Sequence, residues 1–106
     1  MPDTIVLETA LTADEIRAIA GGARLELGDT AKGRIVAARA IVEALVDRGI
    51  RGYGINTGVG ALCDVIIDRK DQSALSRNLL FSHACGVGEP LGRIETRAIM
   101  AAQINT

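Results

Sequence analysis

One amphipathic stretch, from about Thr30 to Arg48, most constrains the fold of this 106-residue chain. Its apolar residues recur at the spacing of one helix face, and charged residues occupy the positions between them. Asp29 is placed to cap the start of the helix, and Gly49 to end it. We therefore expect one long helix with an apolar stripe of Ile35, Ala38, Val42, Leu45 and Val46, with Lys32, Arg39, Glu43 and Asp47 facing away.

Shorter elements are predicted before this helix. Residues 5–7 and 24–27 alternate apolar and polar types, which is typical of two small strands. Between them, residues 12–15 (Thr-Ala-Asp-Glu) have the form of a capping box. In such a box the Thr12 hydroxyl accepts from the backbone amide of residue 15, and the Glu15 carboxylate accepts from that of Thr12. A short helix should follow and end at Gly21–Gly22.

The second half of the chain is expected to be helical as well. Residues 50–53 read as a brief extended segment that leads into a glycine-rich loop. A helix is predicted from about Asp71 to Cys85, and a last one from about Ile94, after the break at Pro90. The expected fold class is mainly α with short N-terminal strands.

Composition and charge exclude several classes of protein. Aromatic residues make up only 2% of the chain, so any core is built from Ile, Leu, Val and Ala. The net charge of −1, with acids and bases interleaved, argues against a nucleic-acid partner. No apolar run approaches the ~20 residues that span a bilayer, and the N-terminus lacks the pattern of a signal peptide. A cytoplasmic location without membrane contact is expected.

The two cysteines, Cys63 and Cys85, show neither zinc-ligand spacing nor a Cys-x-x-Cys motif. A disulfide between them is one alternative, and reduced thiols in a cytosolic protein are the favoured interpretation. No metal site is expected, because the chain has one histidine and no nearby set of residues with ligand spacing.

The only tyrosine lies in a segment that contains three glycines, Tyr53-Gly-Ile-Asn-Thr-Gly-Val-Gly60. Glycine lets a ligand approach the main chain, so Tyr53 can present its phenol to a bound molecule. The spacing is not that of a P-loop or a dinucleotide site. The alternative is a tight turn between two elements, with Tyr53 partly buried.

The only histidine, His83, lies in the segment Asn78-Leu-Leu-Phe-Ser-His-Ala-Cys-Gly-Val-Gly-Glu-Pro90. By residue chemistry alone, a histidine near the end of a helix interacts with the terminal carbonyls and the helix dipole. Ser82 and His83 are not a catalytic dyad by adjacency, because neighbours on a helix point about 100° apart.

These two segments, in this order and separation, resemble two hallmark blocks of the histidine and aromatic amino-acid ammonia-lyase family. Residues 11–16 are similar to the family's opening helix, so the resemblance covers nearly the whole chain. It implies the N-terminal part of the all-α ammonia-lyase fold of the fumarase/aspartase-like superfamily. It also implies a carbon–nitrogen lyase that eliminates ammonia from an amino acid to give an α,β-unsaturated acid.

The resemblance also implies roles for three residues. Tyr53 matches the base that takes the β-proton, and Gly60 matches a backbone position near the substrate. His83 matches the selectivity region, where Ser-His is similar to the histidine-specific enzymes. L-Histidine is therefore the expected substrate and urocanate the product. A tyrosine or phenylalanine ammonia-lyase, a 2,3-aminomutase, and a non-catalytic interaction domain remain the alternatives.

The family uses 4-methylidene-imidazol-5-one, formed autocatalytically from an internal Ala-Ser-Gly, which is absent from these 106 residues. We therefore expect residues 1–106 to be an N-terminal segment truncated before that region, inactive alone and part of a homotetramer at full length. Two positions depart from the family pattern. Val59 stands where an aromatic residue is usual, and Cys85 where alanine is common.

Overall fold

The computed structural model describes residues 2–106, which form two compact units. Unit 1 comprises the chain up to Val36 together with Glu89–Thr106, and unit 2 comprises Ala37–Gly88. In chain order the elements are β1 (Thr4–Leu7), α1 (Ala13–Gly21), β2 (Arg24–Leu27), α2 (Asp29–Asp47), α3 (Gln72–His83) and α4 (Arg93–Ile104). The predicted fold class, mainly helical with two short N-terminal strands, is confirmed.

The strands of unit 1 pair in parallel, with Thr4 opposite Arg24 and Leu7 opposite Leu27. Helix α1 is the connection between them, as a parallel pair requires. Its N-terminus has the predicted capping box, with the Thr12 side chain accepting from the Glu15 amide. Gly22, at a φ of 126°, ends the helix in a conformation that side chains disfavour.

The capping box gives Glu15 a pH-dependent role. The Thr12 backbone N–H and then its hydroxyl donate to the Glu15 carboxylate, which holds the pKa of Glu15 below its usual value of 4.5. Because the folded pKa is the lower one, the carboxylate stabilises the fold fully above pH 4.5. This contribution is lost as the pH falls through the folded pKa.

The core of unit 1 lies between the strands and helices α1 and α4. Ile5, Ala18, Ile19 and Ala101 are buried together in it. The guanidinium of Arg97 donates to the Ile19 and Ala23 carbonyls, at 2.7 and 2.8 Å. The Ile19 carbonyl also accepts from the Gly22 amide at 3.1 Å, and Ala23 lies just beyond α1, so Arg97 fastens α4 to the end of α1 and to the residues that follow it.

The start of α2 differs from the prediction. Asp29 lies inside the first turn, 3.4 Å from the Lys32 ammonium, and the cap is supplied by Glu8 at the end of β1. The Glu8 carboxylate accepts from the Thr30 and Ala31 amides at 3.0 and 3.3 Å. Gly28 leaves room for it, since a Cβ there would lie 2.1 Å from the Glu8 carboxyl carbon.

The predicted apolar stripe of α2 holds only for its C-terminal half. Val42, Leu45 and Val46 are half-buried, whereas Ile35 is 52% exposed and Ala38 is exposed. Glu43, expected to face away, is half-buried. The helix ends at Asp47, one residue before the predicted Arg48, and Gly49 closes it as predicted, with a φ of 64° and an amide that donates to the Val46 carbonyl.

The boundaries in unit 2 also shift from those predicted. Residues 50–52 carry no regular structure, and Tyr53 opens a turn. Two short 3-10 helices follow, Gly60–Leu62 and Arg69–Asp71, and α3 ends at His83 rather than Cys85, because Ala84 leaves the helical conformation. Both cysteines are free thiols. Within residues 2–106, no helix combines the length and apolar character needed to cross a membrane.

Candidate functional site

Tyr53 and Gly60 are brought together by the glycine-rich segment. The Gly60 amide donates to the Tyr53 phenol oxygen at 3.4 Å. Gly54 and Gly60 have φ angles of 68° and 59°, which favour glycine at both positions. The Tyr53 side chain is 67% exposed, so its phenol is open to solvent rather than packed in a core, and the partly buried alternative is wrong.

A buried asparagine holds the backbone before Tyr53. Asn56 is 2% exposed. Its Oδ1 accepts from the Gly52 amide at 2.8 Å, and its Nδ2 donates to the Ile50 carbonyl at 2.9 Å. Its own carbonyl accepts from the Ile67 amide at 2.8 Å, which ties the segment to the chain that follows.

A buried threonine holds the backbone after Tyr53. Thr57 is fully buried, and its hydroxyl accepts from the Gly54 amide at 3.2 Å and donates to the Gly58 carbonyl at 2.8 Å. Thr57 also pairs with Ile66 in an antiparallel bridge. Gly58 packs closely beside it, since a Cβ there would lie 2.7 Å from the Leu62 carbonyl oxygen. A side chain at position 58 would therefore displace the loop.

The imidazole of His83 is oriented by the last turn of α3. Its Nδ1 lies 2.9 Å from the Leu79 carbonyl oxygen and 2.9 Å from the Ser82 hydroxyl. Because a carbonyl oxygen only accepts, we assign the proton to Nδ1. In the neutral ring, Nε2 is then left as a hydrogen-bond acceptor. The predicted helix-end contact is present, and it leaves this second nitrogen free.

His83 lines an open groove of about 700 Å³. The walls are mostly apolar, and the groove joins the end of α3 to the glycine-rich segment through Val59, the residue before Gly60. Val59 occupies one wall. The structure thus groups Tyr53 with Gly60, and His83 with Val59. The full lining is Val59, Ser76, Leu79, Leu80, His83 and Ala84.

A second, polar cleft of about 460 Å³ lies beside the same segment. Glu43 of α2 accepts from Arg39 at 2.8 Å and from Arg69 at 3.4 Å, and Arg69 also pairs with Asp47. Gly54 and Ile55 of the glycine-rich segment line this cleft as well. The two arginines and two acids neutralise each other, so the cleft carries no unpaired charge from this group.

Sequence reasoning singled out Tyr53, Gly60 and His83 as candidates but missed the residues that hold the backbone around Tyr53. Asn56 and Thr57 are the largest fully buried side chains among residues 2–106, and both are polar. Two polar residues inside a glycine-rich run were a signal, because buried polar groups need hydrogen-bond partners. No group of three or more His, Cys, Asp or Glu side chains in the described part of the chain is arranged to hold a metal ion.

Comparison of the sequence with known proteins identifies related enzymes. A family model described as aromatic amino acid lyase matches residues 11–106. A histidine ammonia-lyase of Anaeromyxobacter dehalogenans is 44% identical over 105 residues, covering 97% of this chain and 21% of the relative. A histidine ammonia-lyase of Treponema denticola is 43% identical over 102 residues, covering 95% of this chain and 20% of the relative.

Solved structures give the same grouping. The ergothioneine-degrading enzyme ergothionase of Treponema denticola, in complex with desmethyl-ergothioneine sulfonic acid, superposes with a TM-score of 0.90 at 30% identity. A mutant tyrosine aminomutase superposes with a TM-score of 0.87, also at 30% identity. The matches cover 97% and 99% of this chain but only 21% and 20% of those proteins. The chain spans about a fifth of the length of the relatives it matches.

Proposed function

Because the chain belongs to the aromatic amino acid lyase family, we propose that it is the N-terminal segment of a histidine ammonia-lyase. The complete enzyme would convert L-histidine to urocanate and ammonia. The curated relatives that support this choice of substrate are named histidine ammonia-lyases and are 40–44% identical over 102–105 residues.

The observation that carries the proposal is the orientation of His83 in the apolar groove. With Nδ1 held by the Leu79 carbonyl, Nε2 is the free acceptor. The imidazole of a histidine substrate has an N–H donor that a phenyl ring lacks. A site that accepts this hydrogen bond discriminates strongly against an analogue without the donor, because its own polar group is then left unpaired.

Tyr53 is the proposed base for the substrate β-proton. As the base, the Tyr53 oxygen takes the proton from the β-carbon, the C–H electron pair becomes the double bond, and the C–N bond breaks so that its electron pair leaves with ammonia. The Gly60 amide, at 3.4 Å, is a hydrogen-bond donor aimed at this oxygen. The exposed phenol supports the role, since a base must reach its substrate.

The β-proton is only weakly acidic, so an electrophile must activate the substrate. We propose that 4-methylidene-imidazol-5-one supplies this activation. The 106 residues contain no Ala-Ser-Gly from which the group could form, so this chain does not make it. The exposed Tyr53 phenol and the open groove at His83 are consistent with this segment forming one side of the active site, opposite the 4-methylidene-imidazol-5-one group.

Two other activities within the family have specific support. Similarity to the tyrosine aminomutase favours an enzyme acting on tyrosine or phenylalanine, as a lyase or a 2,3-aminomutase. Similarity to ergothionase favours ergothioneine, another imidazole-containing substrate. Both structures are 30% identical to this chain, against 44% for the first histidine ammonia-lyase, so histidine stays the first choice.

We also propose that the complete lyase is a cytoplasmic homotetramer. Unit 2 exposes large apolar side chains, with Leu80 72%, Phe81 70% and Val87 106% exposed. Large apolar side chains left in water are what a subunit interface would cover. A non-catalytic interaction domain would share this surface, so the assay below separates the two.

The test is a substrate comparison with the full-length lyase that carries this segment. Purified enzyme is given L-histidine, L-tyrosine, L-phenylalanine and ergothioneine, and both the unsaturated acid and released ammonia are measured. We expect the highest kcat/KM for histidine, with urocanate as product. A β-amino acid from tyrosine or phenylalanine would establish an aminomutase instead. Turnover of none of the four would favour the interaction domain.

A further inference from the structure

We propose that Asn56 and Thr57 are positioning residues for Tyr53, in that their buried side chains fix the backbone on both sides of the phenol-bearing residue. This inference rests on the proposed role of Tyr53 as the base. Neither residue was singled out by its chemistry in the sequence, and neither touches the groove at His83.

The first step of the argument is burial. Asn56 and Thr57 are the largest fully buried side chains in the described part of the chain, at 2% and 0% exposure. A buried amide or hydroxyl costs free energy unless it is hydrogen-bonded. Every buried side-chain polar atom among residues 2–106 has a hydrogen-bond partner. Directional hydrogen bonds therefore offset the free energy of burying the Asn56 amide and the Thr57 hydroxyl.

The second step is where those bonds fall. Asn56 accepts from the amide of Gly52, the residue before Tyr53, and Thr57 accepts from the amide of Gly54, the residue after it. Two glycines would otherwise leave this backbone unusually free. The Asn56 and Thr57 side chains thus restrict the backbone rotation that the glycines would allow. They do so at the Gly52 and Gly54 amides, which flank Tyr53 and determine where its side chain points.

The third step links this restraint to rate. The Tyr53 side chain is 67% exposed, and its described polar contact is the Gly60 amide at 3.4 Å. Packing within this chain therefore does not orient the ring, and its direction here follows from the backbone. A misplacement of about 1 Å in a catalytic group costs roughly 10²-fold in rate. Loss of either clamp should therefore lower kcat and leave KM almost unchanged, because His83 is not disturbed.

The sequence provides a direct reporter of this clamp. Tyr53 is the only tyrosine and there is no tryptophan, so the tyrosine fluorescence of the 106-residue chain comes from this one ring. Its residual anisotropy after the sub-nanosecond decay falls when the ring moves more freely, and self-association, which slows only the later tumbling of the whole molecule, does not change it. This readout does not depend on lyase activity, so it separates failure of the positioning role from failure of the proposed function.

The decisive variant is Thr57→Val, which keeps the volume and removes the hydroxyl that binds Gly54 and Gly58. We expect lower anisotropy in the 106-residue chain and, in the full-length lyase, kcat lowered about 10²-fold with KM within about threefold. Thr57→Ser restores the hydroxyl and should recover most of both signals. Thr96→Val, at an exposed threonine of α4, is the matched control and should change neither.

Several outcomes would overturn the proposal. Unchanged anisotropy in folded Thr57→Val would do so, as would unchanged kcat or a loss confined to KM. If Thr57→Val fails to fold by circular dichroism, hydrogen exchange in the wild-type chain decides. Slow exchange of the Gly52 and Gly54 amides together with high Tyr53 anisotropy supports the clamp, and fast exchange of either amide contradicts it.

Discussion

At the scale of single residues, the site depends on which atom of each side chain is already engaged. His83 has one nitrogen committed to the Leu79 carbonyl at 2.9 Å, which leaves the other for a ligand. Tyr53 has its phenol oxygen facing an amide and otherwise open to solvent. Both side chains are thus contacted only within their own segments. Nε2 of His83 stays free, and the Tyr53 oxygen stays open to solvent on its other sides.

Tyr53→Phe should remove the base while leaving the fold intact. The ring is mostly exposed and the described hydrogen bond to its oxygen is 3.4 Å long, so little stability depends on the hydroxyl. Loss of a proton-transfer group typically lowers the rate by ~10²–10⁴-fold. Urocanate formation by the full-length lyase measures this, with circular dichroism as the check on folding. A variant retaining more than about a tenth of the wild-type rate would rule out Tyr53 as the base.

His83→Leu should change the choice of substrate. Leucine keeps an apolar wall in the groove and removes the Nε2 acceptor, so histidine turnover should fall and preference should shift towards phenylalanine or tyrosine. The measurement is the ratio of kcat/KM for histidine and phenylalanine. Thr96→Val, at an exposed threonine outside the groove, is the control and should leave the ratio unchanged. An unchanged ratio in His83→Leu would leave His83 with its helix-end role alone.

At the scale of elements, local patterns predicted the fold where the contacts themselves are local. The capping box of α1 and the glycine at the end of α2 involve residues within five positions of each other. The sequence failed where a partner comes from elsewhere in the chain. Glu8 caps a helix 22 positions away, and Arg69 holds Glu43 from 26 positions away. Neither pairing can be read from periodicity, because both depend on tertiary contacts.

The same limit explains the candidate site. Tyr53 and His83 stand out as the only residues of their types, so composition and family resemblance were enough to find them. Asn56 and Thr57 act through buried bonds to backbone groups on either side of Tyr53. Those hydrogen bonds exist only once the turn is formed. Residue type alone therefore indicated a turn, but not that Asn56 and Thr57 restrain the backbone around Tyr53.

Glu8→Ala should destabilise the chain more than Asp29→Ala does. Removing the Glu8 carboxylate leaves the Thr30 and Ala31 amides without their side-chain acceptor, and loss of a helix cap costs about 1 kcal/mol. Asp29, already inside the helix, pairs with Lys32 at the surface, where such pairs contribute little. The free energy of unfolding in urea compares the two variants. Equal losses, or a larger loss for Asp29→Ala, would contradict the assignment of Glu8 as the cap.

At the scale of the whole chain, the two units differ in what they bury. The buried apolar side chains of the described residues, among them Ile5, Ile19 and Ala101, all lie in unit 1. Unit 2 contains the candidate site, and its buried side chains are the polar pair Asn56 and Thr57. Since apolar burial is the main source of stability, unit 2 should open more readily than unit 1. The part of the chain proposed to meet the substrate is therefore the less stable part.

This difference predicts the behaviour of the 106-residue polypeptide by itself. It should release no ammonia from L-histidine, because it has no Ala-Ser-Gly from which the electrophile could form. It should also self-associate, because Leu80, Phe81 and Val87 place apolar surface in water. An ultraviolet assay for the unsaturated acid and light scattering over a range of concentrations measure the two properties. Phe81→Ser should reduce the association, whereas Thr96→Val should not. Urocanate production by this polypeptide would disprove the requirement for the electrophile, and a monomer at every concentration would show that unit 2 does not need its apolar surface covered.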